Sequence, residues 1–268
     1  MKQRLISAFF GIIILVLVLL GNQMVFDVVV SLISIMAIYE VICATGLKEH
    51  KYILGIAALM PVLLCVASYF SFKLVTAVIF LFVMFFLVMM LFNHEKFSFS
   101  DAAVFISVSI MISLAFLHVS MVRRLGNENY DVLIVLIGSW ITDSCAYFSG
   151  VFFGKHKLAP KISPKKTIEG SIGGIIGVIL ILMAYAYVSA NIMNVSVNVI
   201  SVIAIGLVAG ILSQFGDLCA SIIKREHNIK DFGNIMPGHG GVMDRFDSLI
   251  FVAPTVYYIL ESFPVFVK

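Results

Sequence analysis

Long apolar runs, broken by short polar stretches, dominate the chain. Candidate helices that could cross a bilayer lie at about 5–22, 24–46, 52–70, 73–93, 101–121, 131–153, 171–190, 197–221 and 248–265. Each approaches the roughly 20 apolar residues that a helix needs to cross about 30 Å of hydrocarbon. The runs are continuous and do not alternate at period two, which excludes a transmembrane barrel. The first run follows Met1-Lys2-Gln3-Arg4 and could imitate a secretory leader. It has no small-x-small cleavage site, and a second apolar run follows at once, so it reads as a retained helix. The expected fold is therefore an all-α, polytopic integral membrane protein with about nine transmembrane helices.

Composition agrees. Of 268 residues, 61% are hydrophobic and 12% charged, where a soluble domain carries about a quarter charged residues. This excludes an ordinary soluble enzyme, a disordered chain and a nucleic-acid binder. The net charge of +3 says little by itself, so the placement of the charges is what matters. With the N-terminus inside, fourteen of the eighteen Lys and Arg residues fall on the cytoplasmic side. Only Lys73, Arg123, Arg124 and Lys268 fall outside. The positive-inside rule thus predicts a cytoplasmic N-terminus and an external C-terminus, with Arg123-Arg124 as the pair that breaks it. The implied location is the cell's inner membrane, as a multi-pass protein. Cys43, Cys65, Cys145 and Cys219 show no CxxC spacing and read as reduced packing residues.

Two connections are long and polar, about 154–170 and 222–247, and both fall on the predicted cytoplasmic side. The expected organisation is residues 1–130 as an N-terminal scaffold of about five spans, and residues 131–268 as a C-terminal domain carrying the chemistry. Acids inside the membrane are functional candidates, because a charge at mid-bilayer costs about 2.5–3.5 kcal/mol on insertion scales. Asp143 shares one helix face with Tyr147, Gly150 and Gly154. That face is either a packing seam with one buried acid or the wall of a site. Ser213, Asp217, Ser221 and Lys224 recur at helical spacing and form a polar stripe ending in Lys224-Arg225, which suits a cavity wall. Asp27 and Glu40 also interrupt apolar runs, but nothing polar recurs around them. Asp27 is expected at an interface and Glu40 near the end of its span.

The second connection is the densest in chemistry. Pro237-Gly238-His239-Gly240-Gly241 can turn backbone N–H groups together into an anion nest. Asp244 and Asp247 can direct two carboxylates to one side, and carboxylates beside phosphate suit Mg²⁺. Lys224, Arg225, Lys230 and Arg245 can balance phosphate charge. In the first connection, Ser163-Pro164-Lys165-Lys166-Thr167-Ile168-Glu169-Gly170 places basic residues at a helix start, again favourable for an anion. The Gly-x4-Gly-Lys-Ser/Thr spacing of a P-loop is absent, and no HExxH or Cys/His cluster points to zinc.

The pattern from Ser221 to Asp247, S-x2-K-R-x4-K-D-x-G-x3-P-G-H-G-G-x2-D-R-x-D, resembles the signature of the phosphatidate cytidylyltransferases, also called CDP-diacylglycerol synthases. The segment D-x2-A-Y-x2-G-x3-G-K from Asp143 to Lys155 and the motif from Ser163 to Gly170 also look like elements of that family. The resemblance covers about residues 135–265 strongly. It implies cytidylyl transfer from CTP to phosphatidic acid, releasing pyrophosphate, with dependence on Mg²⁺, K⁺ as a second ion, and a homodimer. On that reading Asp217, Asp244 and Asp247 hold metal, assisted by Asp143. Lys165, Lys166, Lys224, Arg225 and Arg245 clamp the phosphates, together with the backbone of Gly240 and Gly241. Ser221 and His239 orient substrate oxygens. Lys48 lies on a separate connection, where substitution should matter little. The alternatives are a CTP-dependent lipid kinase and a transporter using Asp143 and Asp217. The transporter reading lacks paired broken helices in corresponding halves.

Overall fold

The computed structural model describes residues 2–235 and 240–267, with backbone alone for residues 2–8. It is built almost wholly of helices. In chain order these are α1 (Lys2–Leu20), α2 (Gln23–Ala44), α3 (Lys51–Phe70), α4 (Phe72–Phe92), α5 (Phe99–Arg123), α6 (Asn129–Phe153), α7 (Ile168–Met193), α8 (Val199–Glu226), the single turn α9 (Met243–Phe246) and α10 (Leu249–Ser262). Seven of them, α2 to α8, are long and apolar enough to cross a membrane. Their outward faces carry large apolar side chains such as Phe80, Leu81, Leu180 and Ile200, which hydrocarbon solvates and water does not. α4 is the extreme, with a mean hydropathy of 3.0 over its most apolar stretch and only 17% of that stretch buried in the protein.

Two expectations need adjustment. The ninth predicted span is a helix of 14 residues, about 21 Å at 1.5 Å per residue and so shorter than the hydrocarbon core. It ends before Pro264, after which β4 (Phe266–Val267) pairs antiparallel with β3 (Ser196–Val197). The connection predicted at 154–170 is also not a plain loop. It folds into an antiparallel hairpin of β1 (Lys157–Ala159) and β2 (Ser163–Thr167), pairing Lys157 with Thr167 and Ala159 with Ser163.

The chain forms two compact units, one of Met1–Ser120 with Ile229–Arg245, the other of Met121–Asn228 with Phe246–Lys268. In the first, Phe82, Phe86, Phe97 and Phe105 cluster, with Phe86 and Phe105 stacked at 5.7 Å and His50 set edge-on to Phe97. Asp27 of α2 is buried there, where it accepts from Gln23 Nε2 at 2.8 Å and from the Tyr69 hydroxyl of α3. It therefore ties two helices together inside the protein.

The second unit is organised by a glycine seam. Gly170, Gly173, Gly174 and Gly177 of α7 face Ala146, Ser149 and Cys145 of α6 so closely that a Cβ at any of them would collide. This is the close approach that small residues permit between membrane helices. Gly150 of α6 faces the same seam, opposite Thr167 and Gly170. Of the predicted helix face, the glycine part is thus a packing surface, while Tyr147 is exposed.

Candidate active site

Within the second unit three segments converge around Asp217 of α8. The first is the C-terminal half of α6. Ile137–Ile141 takes a π-helical turn, a distortion frequent at functional sites that leaves carbonyls without their usual partners. The Ser213 hydroxyl of α8 donates to one of them, Ser139 O, at 3.2 Å, and the Thr142 hydroxyl donates to Gly138 O at 2.7 Å. Asp143 follows two residues after the end of this turn.

The second segment is the hairpin. Successive residues of a strand point to opposite faces, so Lys165 and Lys166 part company on β2. Lys166 turns inward and forms an ion pair with Asp217, whereas Lys165 is exposed. The hairpin's position is fixed by Thr167, whose hydroxyl caps α7 by accepting from Gly170 N at 3.1 Å. Glu169 takes the backbone N–H of Lys155 at 3.0 Å and pairs with the His156 ring at 2.6 Å. The first connection is thereby closed on the start of α7.

The third segment is the chain entering α10. At Gly216 a Cβ would stand 2.7 Å from Asp247 O and 2.8 Å from Ser248 Cα. Only glycine lets this backbone lie on α8 beside Asp217. Asp247 is buried and accepts from Ser248 N at 2.7 Å. Burial pushes its carboxyl above the ordinary carboxylate range, and the neighbouring charge of Asp217, then that of Asp143, push the same way. Lys224, also buried, opposes them. Asp143, Asp217, Asp247, Lys166 and Lys224 are therefore one electrostatic cluster. The stripe Ser213, Asp217, Ser221, Lys224 faces the interior as its spacing implied, with Ser213, Ser221 and Lys224 all buried.

The remaining predicted residues are placed differently. Arg225 and Arg245 are exposed. His239 lies outside the described residues. In the first unit, Gly240 adopts φ +84, the left-handed region that favours glycine, and Asp244 Oδ2 accepts from Gly241 N at 3.0 Å and from Phe232 N at 2.8 Å. Expected as a metal ligand, Asp244 spends one oxygen on holding its own segment. Gly216 is a site residue for which the pattern Gly216-Asp217 inside an apolar helix was the only signal. Glu40, expected only near the end of its span, is buried on α2 and accepts from Val242 N at 2.9 Å and Met243 N at 2.8 Å.

A sequence model of the cytidylyltransferase family matches residues 2–263. The chain belongs to that family. Among curated relatives, a phosphatidate cytidylyltransferase of Bacillus subtilis is 30% identical over 269 residues, covering 98% of both chains. A protein of the same name from Staphylococcus aureus is 31% identical over 263 residues, 97% of this chain and 99% of its own. One from Thermotoga maritima is 41% identical over 142 residues, about half of each chain. The family match spans both units, so it embraces the N-terminal helices as well as the signature segment.

Proposed function

We propose that the protein transfers the cytidylyl group of CTP to phosphatidic acid, forming CDP-diacylglycerol and pyrophosphate. The observation that carries this reading is the cluster of Asp143, Asp217 and Asp247 with Lys166 and Lys224, set among membrane helices of a chain that matches the cytidylyltransferase family over nearly its whole length. One substrate is confined to the bilayer and the other to water. A charged cluster supported by membrane helices and a polar hairpin can serve both. The distribution of Lys and Arg supports a cytoplasmic site, where the nucleotide is supplied.

In the reaction an ionised oxygen of the lipid phosphate attacks the α-phosphorus of CTP. The bond from that phosphorus to the bridging oxygen breaks, and pyrophosphate leaves with the electron pair. The nucleophile is already an anion, so no general base is required. The work of the protein is positioning and charge compensation. Lys166, held by Asp217, and Lys224, buried beside Asp247, present ammonium groups with little freedom left to lose.

Magnesium fits this donor set. Among the described residues no three His, Cys, Asp or Glu side chains group closely enough to enclose an ion. Magnesium, though, is usually held by one or two carboxylates plus substrate phosphates. Asp217 and Asp247 would be those carboxylates, with Asp143 adding negative charge nearby. When bound, the ion supplies charge neutralisation at the triphosphate.

The test uses purified full-length protein, phosphatidic acid in detergent, Mg²⁺ and CTP labelled at the α-phosphate. Label should enter the lipid phase, stop with a chelator and return with added Mg²⁺. Asp217→Asn should cut the rate by about 10²-fold or more, the scale of losing a charge-stabilising group, while Lys48→Ala leaves it near wild type. Folded protein that moves the γ-phosphate instead would convert the reading to a lipid kinase.

A further inference from the structure

We infer that Glu40 is a positioning residue for the reaction: from α2 it fixes the backbone of Val242 and Met243, at the entry to α9, some 200 positions later in the chain. The inference rests on the cytidylyl-transfer reading. Its physical basis lies wholly within the first unit. The Glu40 carboxylate is 3% exposed, and a buried carboxylate on an apolar helix is costly unless each oxygen is satisfied. Here Oε1 accepts from Val242 N at 2.9 Å and Oε2 from Met243 N at 2.8 Å. Those two amides open the short turn α9, which carries Asp244 and Arg245. Asp244 reaches back to Gly241 N and Phe232 N, so two carboxylates hold the backbone at Phe232, Gly241, Val242 and Met243.

The glycines point to the same function. A Cβ on Gly233 or on Gly241 would collide with the Glu40 carboxylate. Both glycines belong to the signature pattern, and their lack of a side chain is accounted for by a residue far upstream. Ile235, from the same segment, lines a cavity of about 670 Å³ together with Ile35, Met36 and Tyr39 of α2, so the segment lies along this helix and does not touch it at one point alone. Glu40 is aimed entirely at backbone. Both of its oxygens are engaged by backbone N–H groups, which makes it a positioning residue and not a catalytic one.

Glu40→Gln places an amide donor against a backbone donor. We expect kcat to fall at least about tenfold, the factor that corresponds to about 1.4 kcal/mol, while KM for phosphatidic acid stays within about twofold. Glu40→Asp, which keeps both acceptors, should recover part of the rate. Gly241→Ala disturbs the same contact from the other side. In Glu40→Ala/Gly241→Ala the methyl occupies vacated space, so the double variant should be no slower than the worse single one. Amide exchange at Val242 and Met243 should quicken in Glu40→Gln, and melting in detergent identifies which variants are folded. Wild-type turnover in folded Glu40→Gln, or losses that simply multiply in the double variant, would overturn the inference. If the glutamine variant does not fold, the comparison of Gly241→Ala with the double variant decides it. Absence of cytidylyl transfer by the wild-type protein would instead defeat the functional reading, and the exchange measurement would still report on the anchor.

Discussion

Single side chains in this protein gain their meaning from which way one backbone dihedral sends them. Lys165 and Lys166 are adjacent, equally charged and inseparable as sequence, yet β2 directs one to solvent and the other to Asp217. A lysine already held in place loses little rotamer freedom when it binds phosphate, whereas an exposed one loses up to about 2 kcal/mol. Lys166→Ala is therefore expected to lower kcat/KM for CTP by about 10²-fold or more, on the scale of losing one charge-stabilising donor. Lys165→Ala should cost only a few-fold, at the level of an exposed charge near a site. Steady-state rates of the two variants at fixed lipid and varied CTP decide the matter. Equal losses would mean that the hairpin does not discriminate between them. Asp217 also bears on this pair. In Asp217→Asn the ammonium of Lys166 keeps its charge but loses its fixed partner, so Lys166→Ala added to Asp217→Asn should cost less than it does alone.

Among the elements, α8 does the most to assemble the cluster, and it does so through one missing side chain. Gly216 allows the Asp247–Ser248 backbone to touch the helix one residue before Asp217. Gly216→Ala must push that backbone away by several tenths of an ångström or more, since interiors are packed too densely to absorb a methyl. The expected result is a loss of activity of about 10²-fold, the cost that a displacement near 1 Å can carry, with a drop in melting temperature of a few degrees at most. Much at this scale was legible in the sequence. Seven of the nine expected spans were, because each needs some twenty apolar residues in a row, and so was the inward stripe of α8, because burial and spacing at 3.6 residues coincide. The hairpin was not, since Lys157–Thr167 holds two prolines and six cationic or hydroxyl side chains and reads as a solvated loop. The short α10 was not, since an apolar run says nothing of where Pro264 and strand pairing stop the helix. Glu40 was not, because its partners are backbone N–H groups, and these leave no pattern in side-chain identity.

For the whole molecule, the burial of one residue removes the main objection to the topology inferred from charge. Arg123-Arg124 broke the positive-inside rule when counted as a loop pair. Arg123 is only 5% exposed, packed at the end of α5, and the rule applies to charges presented in short loops and flanks. With Arg123 buried, the external side keeps few cations in its loops, and the hairpin with Lys155, Lys157, Lys161 and Lys165 remains the strongest basic feature on the opposite side. The prediction is that α5 and α6 join on the external face, and that the hairpin is cytoplasmic. In a variant whose four native cysteines are replaced by serine or alanine, a cysteine at Asn127 should react with an impermeant maleimide added to intact cells. One at Lys161 should react only after the membrane is opened. Native Cys43, Cys65, Cys145 and Cys219 form no disulfide, so their replacement breaks no covalent link. The opposite labelling pattern would invert every span and put the proposed site on the wrong side for CTP. It would then conflict with cytidylyl transfer itself, which makes this measurement a check on the chemistry as well as on the topology.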